Sequence, residues 1–127
     1  MRKTDEWIKQ SDYDFETAEY MFKGGRYFYS VFMCHLSIEK MLKGIYFNKF
    51  KLMPPKSHNL VFLVEKIEYI LNDEFSEFIS ELNLASVATR YPEDLIRISN
   101  EFTKARTAII ITKTKEFLKW LKKESMK

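Results

Sequence analysis

An all-α fold, an antiparallel bundle of four to five helices, is what this sequence predicts, and three observations carry it. Apolar residues recur at three- and four-residue spacing along almost the whole chain, the period of a helix face. Three glycines in 127 residues fall well below the usual ~7%, too few for the many turns of a sandwich or barrel. Helix-stopping pairs fall between the periodic segments, and short links between long amphipathic helices make neighbours antiparallel.

The first helix follows Thr4, a side chain able to cap it, with Asp5 and Glu6 where the positive end of the dipole favours acids. Trp7, Ser11, Phe15, Ala18 and Phe22 trace its buried stripe, and Gly24-Gly25 ends it, glycine accepting the left-handed conformation past a helix without strain. The second helix is predicted over Tyr27 to Phe50, with Phe28, Val31, Phe32, His35, Ile38, Leu42 and Ile45 as its stripe; Met53-Pro54-Pro55 closes it. Ser57 is the expected cap of a third helix carrying Leu60, Leu63, Val64, Ile67, Ile70 and Leu71. After a break at Asn72-Asp73 a fourth helix carries Phe75, Phe78, Ile79 and Leu82. Ala88 to Asp94 lacks periodicity and contains Pro92, so it reads as a loop. A last helix is predicted from Asp94 or Ser99 to about Lys123, on Phe102, Ala105, Ile109, Thr112, Glu116 and Trp120.

Composition bounds the function. The length suits one domain over residues 1–127. With 46% hydrophobic and 16% aromatic residues the chain has enough to pack, which argues against disorder. One Cys excludes an internal disulfide and a multi-Cys zinc site. No run approaches the ~18 uncharged residues of a spanning helix. The N-terminus turns acidic at once, without the apolar core of a signal peptide. The expected setting is the cytoplasm, with no membrane partner. Eleven Phe, seven Tyr and two Trp are the compositional oddity. Most precede the Pro-Pro loop, and on the second helix Tyr27, Tyr29, Tyr46, Phe47 and Phe50 spread beyond the core stripe. One stripe closes a bundle, so the surplus predicts a surface covered by another chain.

Net charge is +3, but unevenly placed. Residues 23–56 hold Lys23, Arg26, Lys40, Lys43, Lys49, Lys51 and Lys56 against Glu39 alone, whereas residues 57–81 are acidic. That asymmetry either attracts phosphate to one face or is neutralised between helices.

Few residues can carry chemistry. His35 and Glu39 lie one helical turn apart, able to share a proton or to form a buried polar pair; further metal ligands are missing, so no metal and no cofactor are expected. Glu39 also precedes Lys43 by four residues, a favourable ion-pair spacing. His58, beside Lys56, is either a base or phosphate ligand or the anchor of its loop. Arg90-Tyr91-Pro92 offers a guanidinium for phosphate and a ring for a base; the plainer alternative pairs Arg90 with Glu93 or Asp94 while Tyr91 closes the core. No phosphate loop, nucleophile elbow or spaced Cys-His pair occurs.

Taken in order, Trp7 with Asp14 and Ala18, the aromatic opening Tyr27 to Phe32, Glu39-Lys40-x-x-Lys43, Ser57-His58-Asn59-Leu60 and Arg90-Tyr91-Pro92 resemble the HEPN family over about residues 4–121. The resemblance implies a homodimeric helical bundle. It also implies a small nucleotidyltransferase as partner, in some members as toxin and antitoxin, and nucleotide or RNA contact through Arg90, Tyr91, Lys40, Lys43, Lys56 and His58. Many members are metal-independent ribonucleases that use an Arg and a His separated by four to six residues, at the dimer interface. Arg90 matches that Arg, but the His is absent: positions 95 to 97 are Leu95, Ile96 and Arg97. An arginine stays protonated and cannot shuttle a proton, and a lost acid–base group forfeits roughly 10²–10⁴-fold in rate. The expected role is therefore a non-catalytic dimeric partner. The alternatives are an atypical ribonuclease toxin using Arg90 with His58 or His35, and a purely structural interaction dimer.

Overall fold

The computed structural model describes residues 2–127, and the described residues form six helices and no strand. They are α1 (Arg2–Lys23), α2 (Tyr27–Phe50), α3 (Leu60–Ile67), α4 (Asp73–Arg90), α5 (Leu95–Glu101) and α6 (Lys104–Ser125). The all-α expectation holds, with one helix more than anticipated.

The α1–α2 hairpin shows why small residues punctuate both helices. Gly25 takes φ 76°, and the amide of Arg26 reaches the carbonyl of Met21 at 2.8 Å, the closing pattern of a left-handed helix stop. The two helices then run antiparallel at very close range. Ser11 and Ser37 each donate a hydroxyl to the other's carbonyl at 2.7 Å, and Ser30 donates to the carbonyl of Ala18 at 2.7 Å. A Cβ on Gly44 would stand 2.8 Å from the Trp7 Cβ.

Helix α2 is the centre of the molecule, packed against α1, α3, α4 and α6 and touching α5. Its buried residues, among them Phe28, Val31, Cys34, His35, Ile38, Met41, Leu42 and Ile45, occupy more than one face. This corrects the expected use of the aromatic surplus. Phe32 lies under Arg90, while Tyr46 packs on the core and against Phe50. Only Tyr29 of the second-helix surplus is exposed. A central helix needs several apolar faces, and the chain covers them in part, leaving Tyr27, Tyr46, Phe47 and Phe50 half-buried.

Other boundaries shift for local reasons. Helix α1 begins at Arg2, so Thr4 lies inside it. The cap of α3 is Asn59, whose side chain accepts from the Phe62 amide, while Ser57 accepts from the Asn59 amide one step earlier. Ile70 lies outside α3 and is exposed. Helix α4 continues through Ala88, Thr89 and Arg90, so three of the seven residues of the expected loop are helical. The single long last helix is two, because Thr103 caps α6 by accepting from the Arg106 amide at 3.2 Å. Phe75, Phe117 and Trp120 stack at the far end of the core.

Candidate polar centre between α2, α3 and α4

Glu39 sits in the interior flank of α2, 4% exposed. A carboxylate there needs partners, and it has two: Lys43 Nζ at 3.0 Å from Oε2 and His58 Nδ1 at 2.9 Å from Oε1. Because a carboxylate only accepts, His58 Nδ1 carries the hydrogen, and its Nε2 is left as the free ring nitrogen. The proline-containing stretch after α2 thus folds back so that His58 anchors it on the centre of the molecule.

His35, one turn before Glu39, is fully buried. Its Nδ1 lies 3.9 Å from Glu39 Oε1, beyond hydrogen-bond reach, so the two are not the directly bonded pair that their spacing allowed. His35 Nε2 instead meets Asn83 Oδ1 at 3.3 Å. The orientation of that amide is fixed by its other contacts. Oδ1 also accepts from the Leu60 amide at 2.9 Å, and Nδ2 donates to Asn59 Oδ1 at 2.8 Å. Nε2 is therefore the donor, and Nδ1 keeps a lone pair with no partner. Burial pushes the His35 pKa down to about 4; Glu39 opposes the shift, and Arg90 and His58 add to it. His35 is a neutral core residue at pH 7 rather than a proton carrier.

Arg90, the last residue of α4, lays its guanidinium 4.9 Å from the centre of the Phe32 ring. Its Nη2 is buried without a hydrogen-bond partner. Neither Glu93 nor Asp94 pairs with it; Asp94 caps α5 by accepting from the Arg97 amide at 3.1 Å. Tyr91 does not close the core, being 75% exposed.

The lysines separate. Lys40 pairs with buried Asp14 at 2.9 Å, Lys43 with Glu39, and Lys49 with Glu68 at 3.1 Å. Of the seven basic residues in 23–56, Lys40 and Lys43 are thus held by buried acids and Lys49 by an exposed one, while Lys23, Arg26, Lys51 and Lys56 are exposed. His58, Asn59, Asn83, Ser86 and Val87 line an open cleft of about 570 Å³. Val87 also borders a second groove, of about 440 Å³, that holds Tyr91, Pro92 and Arg97. The structure thus gathers Glu39, His35, Lys43 and His58 around one centre, and places Arg90 against Phe32, Lys40 against α1 and Tyr91 in the neighbouring groove.

Asn59 and Asn83 complete the centre and were missed in the sequence. The available signal was Asn83 itself, a polar residue beside the apolar positions Ile79 and Leu82 of α4. No group of three or more His, Cys, Asp or Glu among the described residues is placed to hold a metal. No helix among them is long and apolar enough to cross a membrane.

Where the motif histidine would stand, the chain is apolar and exposed. Leu84 and Val87 on α4 are 76 and 68% exposed, Tyr91 just past its end is 75% exposed, and Leu95 and Ile96 open α5 at 67 and 74%.

Comparison with known proteins agrees with this architecture. The model of the HEPN domain matches residues 4–124. The crystal structure of TT1696 from Thermus thermophilus is similar at a TM-score of 0.83 and 15% identity, covering 97% of this chain and 98% of that one. The structure of ST0689, an archaeal HEPN homologue, is similar at a TM-score of 0.77 and 22% identity, covering 98% and 99%. No curated protein sequence matches.

Proposed function

We propose that this chain, which belongs to the HEPN family, works by association: a homodimeric partner of a small nucleotidyltransferase that contacts nucleotide or RNA without cutting it. The observation that carries the reading is that Leu95 and Ile96, both exposed, stand where a proton-transferring histidine would, with Leu84, Val87 and Tyr91 also exposed shortly before them in the chain. Apolar side chains there favour contact with a protein surface, and Arg97 cannot supply the missing proton transfer. His35 is no substitute, since it is buried and its pKa is depressed.

Two measurements test this. The gene beside this chain's should encode a small nucleotidyltransferase, and calorimetric titration of the two should give a saturable complex that Val87→Glu weakens. Incubation with single-stranded RNA should give no cleavage above a mock preparation. Absence of a complex removes the partner, and cleavage lost in Arg90→Ala removes the non-catalytic role. The ribonuclease alternative rests on a different observation, the free Nε2 of His58 beside Glu39; cleavage that His58→Ala abolishes would establish it instead.

A further inference from the structure

Away from the polar centre, the start of α2 and the helix α5 enclose a cavity of about 330 Å³, lined by Gly25 to Tyr29 on one side and by Leu95, Ser99 and Phe102 on the other. Its size lies at the lower end of the roughly 300–1,000 Å³ of small-molecule sites. Aromatic rings form much of its wall. The centroids of the Phe28 and Tyr29 rings lie 4.3 Å apart; Phe28 and Phe102 belong to the core, while Tyr29 is left 47% exposed.

The rest of the wall carries a single charge. Arg26 stands at the cap position of α2, where a side chain that only donates can cap nothing. It is exposed and makes no hydrogen bond or ion pair with any described residue. The lining contains no carboxylate, so nothing within the cavity answers the guanidinium. Neither kind of surface is enough by itself. A free anion at an exposed arginine is screened by water, and a neutral ring gains only its stacking. A ligand that carries ring and charge on one small frame engages both, the second contact costing little further loss of freedom.

We propose that this cavity binds a small anion bearing a flat aromatic ring, with the ring against Tyr29 and Phe28 and the anionic group on Arg26. A nucleoside monophosphate and an aromatic carboxylate share that chemistry, and the planar guanidinium can pair with two oxygens of either. The assignment goes beyond the proposed function, since neither a nucleotidyltransferase complex nor the absence of RNA cleavage is required for it. Leu95 also belongs to the exposed residues of α4 and α5 assigned to association, so the test rests on Arg26 and Tyr29.

Calorimetry of the full chain with AMP, indoleacetate, adenosine and inorganic phosphate separates the two requirements. At least one of the ring-bearing anions should bind, about tenfold or more tightly than adenosine or phosphate, and which of them binds identifies the source of the charge. Arg26→Gln should weaken that binding about tenfold, the scale of one charge-assisted hydrogen bond. Tyr29→Ala should weaken it by a similar factor, the scale of one ring stacked on an aromatic side chain. Tyr29→Phe keeps the ring and should bind as the wild type does. Lys119→Gln removes an exposed charge on α6 and should change nothing. Arg26 is exposed, so its variant tests the site whatever becomes of the fold in Tyr29→Ala. Equal binding of adenosine or phosphate, no binding of either ring-bearing anion, or an Arg26→Gln chain that binds as the wild type does would each overturn the proposal. So would an Arg26→Gln chain that sediments at a lower mass than the wild type, because another copy would then cover the cavity.

Discussion

Acidification should test the buried state of His35 more sharply than any deletion. Unfolded, its imidazole takes a proton near pH 6.5; folded, burial lowers that to about 4. Above pH 6.5 both states are neutral and the group contributes no pH dependence. Between 6.5 and 4 the unfolded chain binds a proton that the folded chain refuses, so stability falls as pH falls. A displacement of that size corresponds to about 3 kcal/mol at ~1.4 kcal/mol per unit, a large part of the ~5–15 kcal/mol that holds a typical domain folded. Urea unfolding of the wild type and of His35→Gln, measured from pH 7.5 to 4, gives the comparison. The variant starts less stable because its amide replaces a ring that fits, but it has no proton to refuse. The gap between the two curves should close by about 3 kcal/mol across the window. Buried carboxylates such as Asp14 are common to both proteins and largely cancel in the difference. Parallel curves would refute a buried, neutral His35 and the tautomer assigned through Asn83.

Three further outcomes follow from the same geometry. Gly44→Ala drives a Cβ to 2.8 Å from the Trp7 Cβ, so α1 and α2 must part; a loss of about 1–3 kcal/mol is expected in thermal or urea unfolding. Glu39→Gln removes the charge that Lys43 and His58 share, and should cost about 3 kcal/mol while speeding amide exchange at Asn59 and Leu60. Cys34 is fully buried and its thiol is pushed up to about 12, chiefly by burial. It should resist disulfide reagents in the native protein and react only as the chain unfolds.

How far the sequence could be read depended on whether a signal was local. Gly24-Gly25 ends α1 just before Tyr27 through its own backbone, whereas α2 ends at Phe50 with Lys51 in the left-handed conformation, three residues ahead of Pro54-Pro55. Thr103 was hidden because the apolar stripe runs on across it; only its hydroxyl on the Arg106 amide marks the new helix. The role of α2 was misread for a different reason. Periodicity shows which residues share a face, but not how many helices will cover it. Among the candidate residues, Glu39, His58 and His35 stood out by residue type, yet they converge only when residues 51–59 fold back. Charge counts along the chain could not choose between a phosphate face and internal neutralisation for the same reason, since Lys40 pairs with Asp14 of α1 and Lys49 with Glu68 just past α3.

Association through the apolar face of α4 and α5 is measured most directly by sedimentation equilibrium at micromolar concentration. The wild type should sediment at twice the mass of its 15.3 kDa chain, and Val87→Glu with Tyr91→Glu should sediment as a folded monomer. A wild type that stays monomeric over that range, or a variant that dimerises as well as the wild type, would contradict association through this face.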